Sequence, residues 1–258
     1  MLLTYDGTFE GMLTAVFMMY EEKIDDLQLV LANQPQASLF MTSEEVFSDA
    51  TKAARVWDGI AKKGGKRVQQ LMYKVFLSEL PERESLLISF LKAFFSSQGT
   101  VAKNPAHPLT ARMLQIQKMI GREKHRMDAF IRFMQTKEGW YVATVAPDFN
   151  VLPLNVAHFK ARYADQQWLI YDVKRNYGFY YNEQTVEEVQ LEQALAPNLS
   201  ERLTTLYLSE EELQFQTLWQ SYFQHTNIAS RKNTKLHLRH VPKRYWKYLT
   251  EKQPVIKK

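Results

Sequence analysis

Ten lysines and arginines lie between Ser221 and Lys258: Arg231, Lys232, Lys235, Arg239, Lys243, Arg244, Lys247, Lys252, Lys257 and Lys258. They face a single acid, Glu251, and are interleaved with His225, His237, His240 and the rings of Tyr222, Phe223, Tyr245, Trp246 and Tyr248. Cations neutralise phosphates and rings stack on bases, so this mixture fits a surface that grips nucleic acid. A basic helix docked on its own core would give the same count, but a merely solvated charge run rarely carries so many rings. A second basic group, GREKHRMDAF over residues 121–130, places Arg122, Lys124, His125 and Arg126 directly after an expected helix. It suits phosphate contact and a solvated face equally.

Acid–base chemistry has its own candidates in Asp148, Asn150, His158, Asp165, Asp172 and Arg175. Carboxylates with an imidazole can move protons or hold a divalent ion. The pair His158 and Asp172 would serve a nuclease or base-excision enzyme. Their spacing matches no metal signature, and each has a plain alternative: His158 beside Phe159 as a packed histidine, Asp172 as the ion-pair partner of Arg175. The three C-terminal histidines could bind zinc, although the neighbouring cations oppose a metal. YDGTFEG, residues 5–11, has a strand–turn–helix pattern with two glycines. It lacks the full phosphate-binding motifs, and Asp6 and Glu10 would repel an anion, so it reads as a structural turn. No metal and no cofactor are expected.

The elements that must position these groups follow from periodicity. Leu2 to Tyr5 is a short strand, and Thr8 caps a helix from Phe9 to Tyr20. Gln36–Met41 and Val46–Ser48 look like strands. Asp49 to Phe95 is mostly helical, in two apolar stripes followed by a third helix opened by Pro81. Ser96 to Pro108 reads as a linker, after which Thr110 starts a helix stopped by Gly121. Met127 to Phe133 fits a strand or a helix. A hairpin turn at Glu138-Gly139 leads to a strand from Trp140 to Ala146, and Asn155 caps a short helix. Trp168–Val173 and Tyr177–Tyr181 pair across Arg175-Asn176. Ser209 and Glu212 form a capping box for a long helix. Leu236–His240 is expected to be extended, and Pro242 to open a final helix. The expected class is α+β: a mainly helical, acidic part over residues 1–100, then residues 105–258 as a small antiparallel sheet with packed helices and a basic helical tail.

Composition narrows the function classes. Of 258 residues, 45% are hydrophobic and 24% charged, with nine glycines and nine prolines, which is ordinary for a folded domain and too few breakers for a turn-dense all-β chain. The absence of cysteine excludes disulfides, a thiolate nucleophile and a cysteine-held iron–sulfur cluster in this chain. No apolar run reaches the roughly 18 residues that span a membrane, and no secretory leader pattern opens the chain, so a cytoplasmic location is expected. The +5 formal charge is segregated. Residues 1–60 carry ten acids and three bases, and the tail from Ser221 carries ten bases and one acid. Such a dipole favours oriented approach to a polyanion.

YDGTFEGMLTAVF, KHRMDAFIRF, NVLPLNVAHFKARYADQQWLIYD and YFQHTNIASRKNTKLHLRHVPKRYWKYL, taken together, resemble a bacterial family labelled as DNA metabolism or DNA repair proteins. The resemblance covers nearly the whole chain. It implies a radical S-adenosylmethionine protein as a separate partner, and a domain similar to residues 105–250 is joined to uracil-DNA glycosylase-like proteins. DNA is then the implied ligand, with Arg122, Lys124, Arg126, His158, Asp172, Arg175, Asn227, Arg231, Arg244 and Trp246 as the implied functional surface. The resulting expectation is a DNA-binding accessory protein whose cations hold the backbone while Trp246, Tyr245 or His237 wedges or stacks. An enzyme acting on nucleic acid and a protein-interaction scaffold are the alternatives.

Overall fold

The computed structural model describes residues 1–32, 43–191, 208–226 and 234–252, and clusters into two units, Met1–Gly121 and Arg122–Lys258. In the first unit, β1 (Leu2–Tyr5) is flanked by β2 (Gln28–Leu31) and β3 (Ser43–Glu45), both parallel to it. An apolar run such as LLTY suits the covered middle of a parallel sheet. Thr8 caps α1 (Phe9–Glu21) as expected, its hydroxyl accepting from Gly11 N–H at 2.9 Å. The two expected stripes form the two helical halves of α2 (Ala50–Phe76), which is broken at Gly65, where the backbone is non-helical with φ 69°. α3 (Arg83–Ser96) follows. The Phe9 ring packs against Trp57, Tyr73 and Phe76 at 5.0–5.3 Å between centroids. Buried Arg83 donates to the Tyr5 hydroxyl at 3.0 Å and to Phe76 O at 3.1 Å, tying β1 to both helices. The Ser96–Pro108 segment contains a 3-10 turn, η1 (Thr100–Lys103), with Val101 buried.

Helix α4 (Pro108–Phe130) passes through Gly121 rather than stopping there, which settles residues 127–130 as helix. A lone glycine costs a helix only about 1 kcal/mol, and the flanking turns of buried Ile116, Ile120 and Met127 outweigh it.

The second unit is built on a five-stranded sheet in the order β4-β5-β6-β7-β8: Met134–Gln135, Tyr141–Val145, Trp168–Asp172, Tyr177–Tyr181 and Val186–Val189. It is mixed, not antiparallel. β5 and β6 run parallel, Tyr141 opposite Trp168 through Val145 opposite Asp172, because α5 (Leu152–Arg162) returns the chain between them. The hairpin at Gly139 (φ 89°) and the turn at Asn176 (φ 56°) stand where expected. β8 follows a turn closed by Asn182 Oδ1 and was not foreseen.

Other expectations need correction. Asn155 lies inside α5, which starts with Leu152 and Pro153; its amide donates to Lys124 O and Asp128 Oδ1 at 2.9 and 2.7 Å. In α6 (Glu210–Thr226) only half of the capping box forms: Ser209 Oγ accepts from Glu212 N–H, while Glu212 Oε2 accepts from Gln135 N–H instead. The Leu236–His240 segment is helical, α7 (Thr234–His240), with Val241 N–H donating to His237 O at 2.7 Å; five alternating residues are too few to fix a period. Pro242 then opens the 3-10 helix η2 (Lys243–Tyr248), and η3 (Thr250–Lys252) follows. β3 ends just before the expected Val46–Ser48 strand, and Gln36–Met41 lies outside the described residues.

Gly178 tests the tight β6–β7 pairing. A Cβ there would stand 2.4 Å from Ile170 O and 2.9 Å from the Tyr171 ring. Gly178→Ala is expected to lower the unfolding free energy by about 1–3 kcal/mol, measured by urea denaturation of the whole chain.

Candidate nucleic-acid interface

The basic residues of α4 and η2 meet at one buried carboxylate. Glu123, 1% exposed, accepts from the Tyr245 hydroxyl, from Asp148 N–H at 2.9 Å and from Arg126 Nη1 at 3.2 Å, with Arg244 Nη2 at 3.6 Å. Arg244 also pairs with Asp148 at 2.8 Å and lies 4.6 Å over the Tyr245 ring. The Asp148 carbonyl accepts from Lys174 Nζ and Arg175 Nη2 at 3.1 and 3.2 Å. Arg175 donates in turn to Pro147 O and to Asp172 Oδ2 at 3.1 and 2.7 Å. Four cations and three carboxylates thus form one network where the parallel strands β5 and β6 end, an edge at which open sheets commonly place ligands.

Burial works against the Arg244 cation, but Tyr245, Asp148 and Glu123 outweigh it and raise its pKa. Burial and then the Glu123 carboxylate push the Tyr245 phenol up, so it stays protonated and donates. Tyr245 is 2% exposed, which overturns its expected role as a wedging or stacking ring.

Asp172 is fully buried. Burial pushes its carboxyl up against the opposing Arg175 guanidinium and the N–H groups of Lys174 and Arg175. The group closes the β6–β7 turn. His158 is half-buried with its ring edge-on to Phe159 at 5.1 Å and is not among the partners of Asp172. No group of three metal-ligating side chains occurs among the described residues.

The remaining candidates divide by exposure. Arg122, His125, Lys235, Arg239, His240 and Lys243 are exposed. Lys124 is paired with Asp128. Trp246 is half-buried, its indole N–H donating to Val241 O at 3.0 Å, with Lys252 5.3 Å from its ring centre. Burial and then the Lys252 ammonium hold the His237 pKa below its ordinary value. Asn227, Arg231 and Lys232 lie outside the described residues. Glu123, Lys174 and the paired role of Asp148 were not singled out by sequence reasoning. A lone Glu amid four basic side chains was the available signal.

The profile of DUF4130, a domain of unknown function, matches residues 81–251. The chain belongs to this family. The DUF4130 match takes in the Glu123 network and nearly all of the described C-terminal segment. No curated protein matches the sequence. A solved structure, the pGpG-specific phosphodiesterase PggH from Vibrio cholerae, aligns with a TM-score of 0.37 and 11% identity over 83% of this chain and 94% of that one. A likeness at that level carries no argument about fold or activity. Among the described residues no helix is long and apolar enough to cross a membrane.

The end of the DUF4130 match is fastened by Glu251, whose side chain is 8% exposed. It takes Arg132 Nη2 at 2.9 Å, Arg132 Nε at 3.4 Å and Trp219 Nε1 at 3.2 Å. Burial pushes the Glu251 carboxyl up, but Arg132 and Trp219 override it and the pKa falls below the ordinary 4.5. A depressed folded-state pKa stabilises above the unfolded value and loses that contribution as pH falls through the folded one. Glu251→Gln should therefore be less stable than the parent at neutral pH, with the gap closing below about pH 4.5. Urea unfolding followed by tryptophan fluorescence across that range measures it.

Proposed function

We propose that this chain is a nucleic-acid-binding accessory protein in DNA repair or modification, acting beside a separate radical S-adenosylmethionine enzyme. The observation that carries the binding reading is the convergence on Glu123 and Asp148. Arg126, Arg244, Lys174 and Arg175 come from α4, η2 and the β6–β7 turn and are held in place before any ligand arrives. Exposed Arg122 and His125 stand on α4 and exposed Lys243 on η2, elements that the network joins, while exposed Arg239 stands on α7 just before η2. The paired cations fix the frame, and the exposed ones carried on it are left to meet a phosphate backbone.

The assignment to DNA and the enzyme partner rest on the family resemblance drawn from the sequence. A chain without cysteine cannot ligate an iron–sulfur cluster through thiolates, so the radical chemistry is assigned to the other polypeptide. The first unit, whose residues 1–60 carry ten acids against three bases, is the proposed partner side; it carries Phe47, 76% exposed, and a shallow apolar cavity of about 400 Å³ lined by Phe9, Leu13, Ala53, Trp57 and Tyr73. The buried, paired state of Asp172 supports a binder over a hydrolase centred on that residue.

Fluorescence anisotropy of a labelled DNA oligonucleotide, titrated with the protein at several salt concentrations, tests this. Affinity is expected to fall linearly with salt on a log–log scale, and the Arg239→Ala, Lys243→Ala double variant to reduce that slope by about 2. Absence of any salt-sensitive affinity for single or double strands would remove the reading.

A further inference from the structure

At the opposite end of the β5–β6 pair from the Glu123 network lies a cavity of about 400 Å³. Five rings line it, those of Phe133, Tyr141, Tyr163, Trp168 and Trp219, with Arg132 and Gln166 as its polar groups. The rings are set by one another: Phe133 is edge-on to Tyr163 at 5.2 Å and tilted to Trp168 at 6.3 Å. The volume falls within the range of small-molecule sites, about 300–1,000 Å³.

We propose that this cavity takes one unpaired nucleobase from a single-stranded or locally opened nucleic acid; the assignment rests on the nucleic-acid reading above.

Three observations select a base over other occupants. Trp168 is 1% exposed and lines the cavity, yet its indole N–H has no acceptor. A buried donor without a partner is uncommon, and a planar ligand that parts the neighbouring rings would bring an acceptor to it. Half-buried Gln166 adds an amide to the same wall, so the lining offers both a donor and an acceptor, the pair that a base edge complements. A hydrocarbon side chain would satisfy neither. Finally, Glu251 already neutralises Arg132, so the cavity does not select an anion but a neutral planar ring.

The surroundings suit the rest of a nucleotide. Arg162 is exposed and lies 5.6 Å over the Tyr163 ring, where it can meet a phosphate while the base stays inside. A stacked, paired base presents neither its faces nor its pairing edge to such a cavity, so the strand must be single or the base extruded.

Two labelled oligonucleotides of equal length and charge test this with the full chain, one normal and one with abasic sugars in place of its bases. The normal strand is expected to bind about tenfold more tightly, a gap set by base stacking. Gln166→Ala and Trp168→Phe should each shrink that gap without changing the salt slope. Gln166→Ala removes a half-buried side chain and keeps the test valid if Trp168→Phe fails to fold, which circular dichroism checks. Equal, salt-sensitive binding of both strands would overturn the cavity assignment and leave the nucleic-acid reading intact. A gap unchanged in folded variants would overturn it as well. Absence of salt-sensitive binding to either strand would remove both.

Discussion

The second unit depends on compensating one buried carboxylate. Glu123 is out of water on the inner side of α4, and an ionised group there is tolerated only if its oxygens are met by donors. The donors come from three places far apart in the chain: Arg126 one turn on, Asp148 N–H beyond β5, and Tyr245 with Arg244 from η2. Satisfying Glu123 therefore holds both the chain after β5 and η2 against α4. Phe130 packing on the Tyr245 ring at 5.5 Å adds apolar contact to the same joint.

This divides the C-terminal cations into two kinds. Arg244 and Arg126 hold the fold while keeping 41% and 29% of their side chains exposed. Lys235, Arg239 and Lys243 face solvent. The rings divide similarly: Tyr245 is core, and Trp246 leans on its own helix turn through Val241 O. A count of charges and rings cannot make this separation, because both kinds have the same composition.

The parallel pairing of β5 and β6 gives the sheet two chemically different ends. At the C-terminal ends, Asp148, Asp172, Lys174 and Arg175 form the polar network. At the N-terminal ends, Tyr141 and Trp168 sit opposite each other in register and open into the aromatic cavity. A five-residue strand separates these features by about 13–17 Å. An antiparallel pair would have mixed the two sets.

Local rules were legible in the sequence where a residue acts on its neighbours. Thr8 as a cap, the Gly139 hairpin, the Asn176 turn and the Asp172–Arg175 pair all span fewer than six residues, and all stand as read. The same local reading failed where a distant partner decided. Glu212 left its capping box for Gln135, Asn155 left the helix start for Asp128, and Gly121 did not stop a helix held on both sides by buried residues. By itself the sequence determined the α+β class, the run of local elements and the basic, ring-rich character of the last segment, because composition and short-range periodicity carry those. Only the tertiary structure decided which cations are spoken for, which rings are core and where the strands put a cavity. Those outcomes depend on groups that meet across long stretches of chain, as Tyr245 meets Glu123 and Tyr141 meets Trp168, and no spacing in the chain encodes such a meeting.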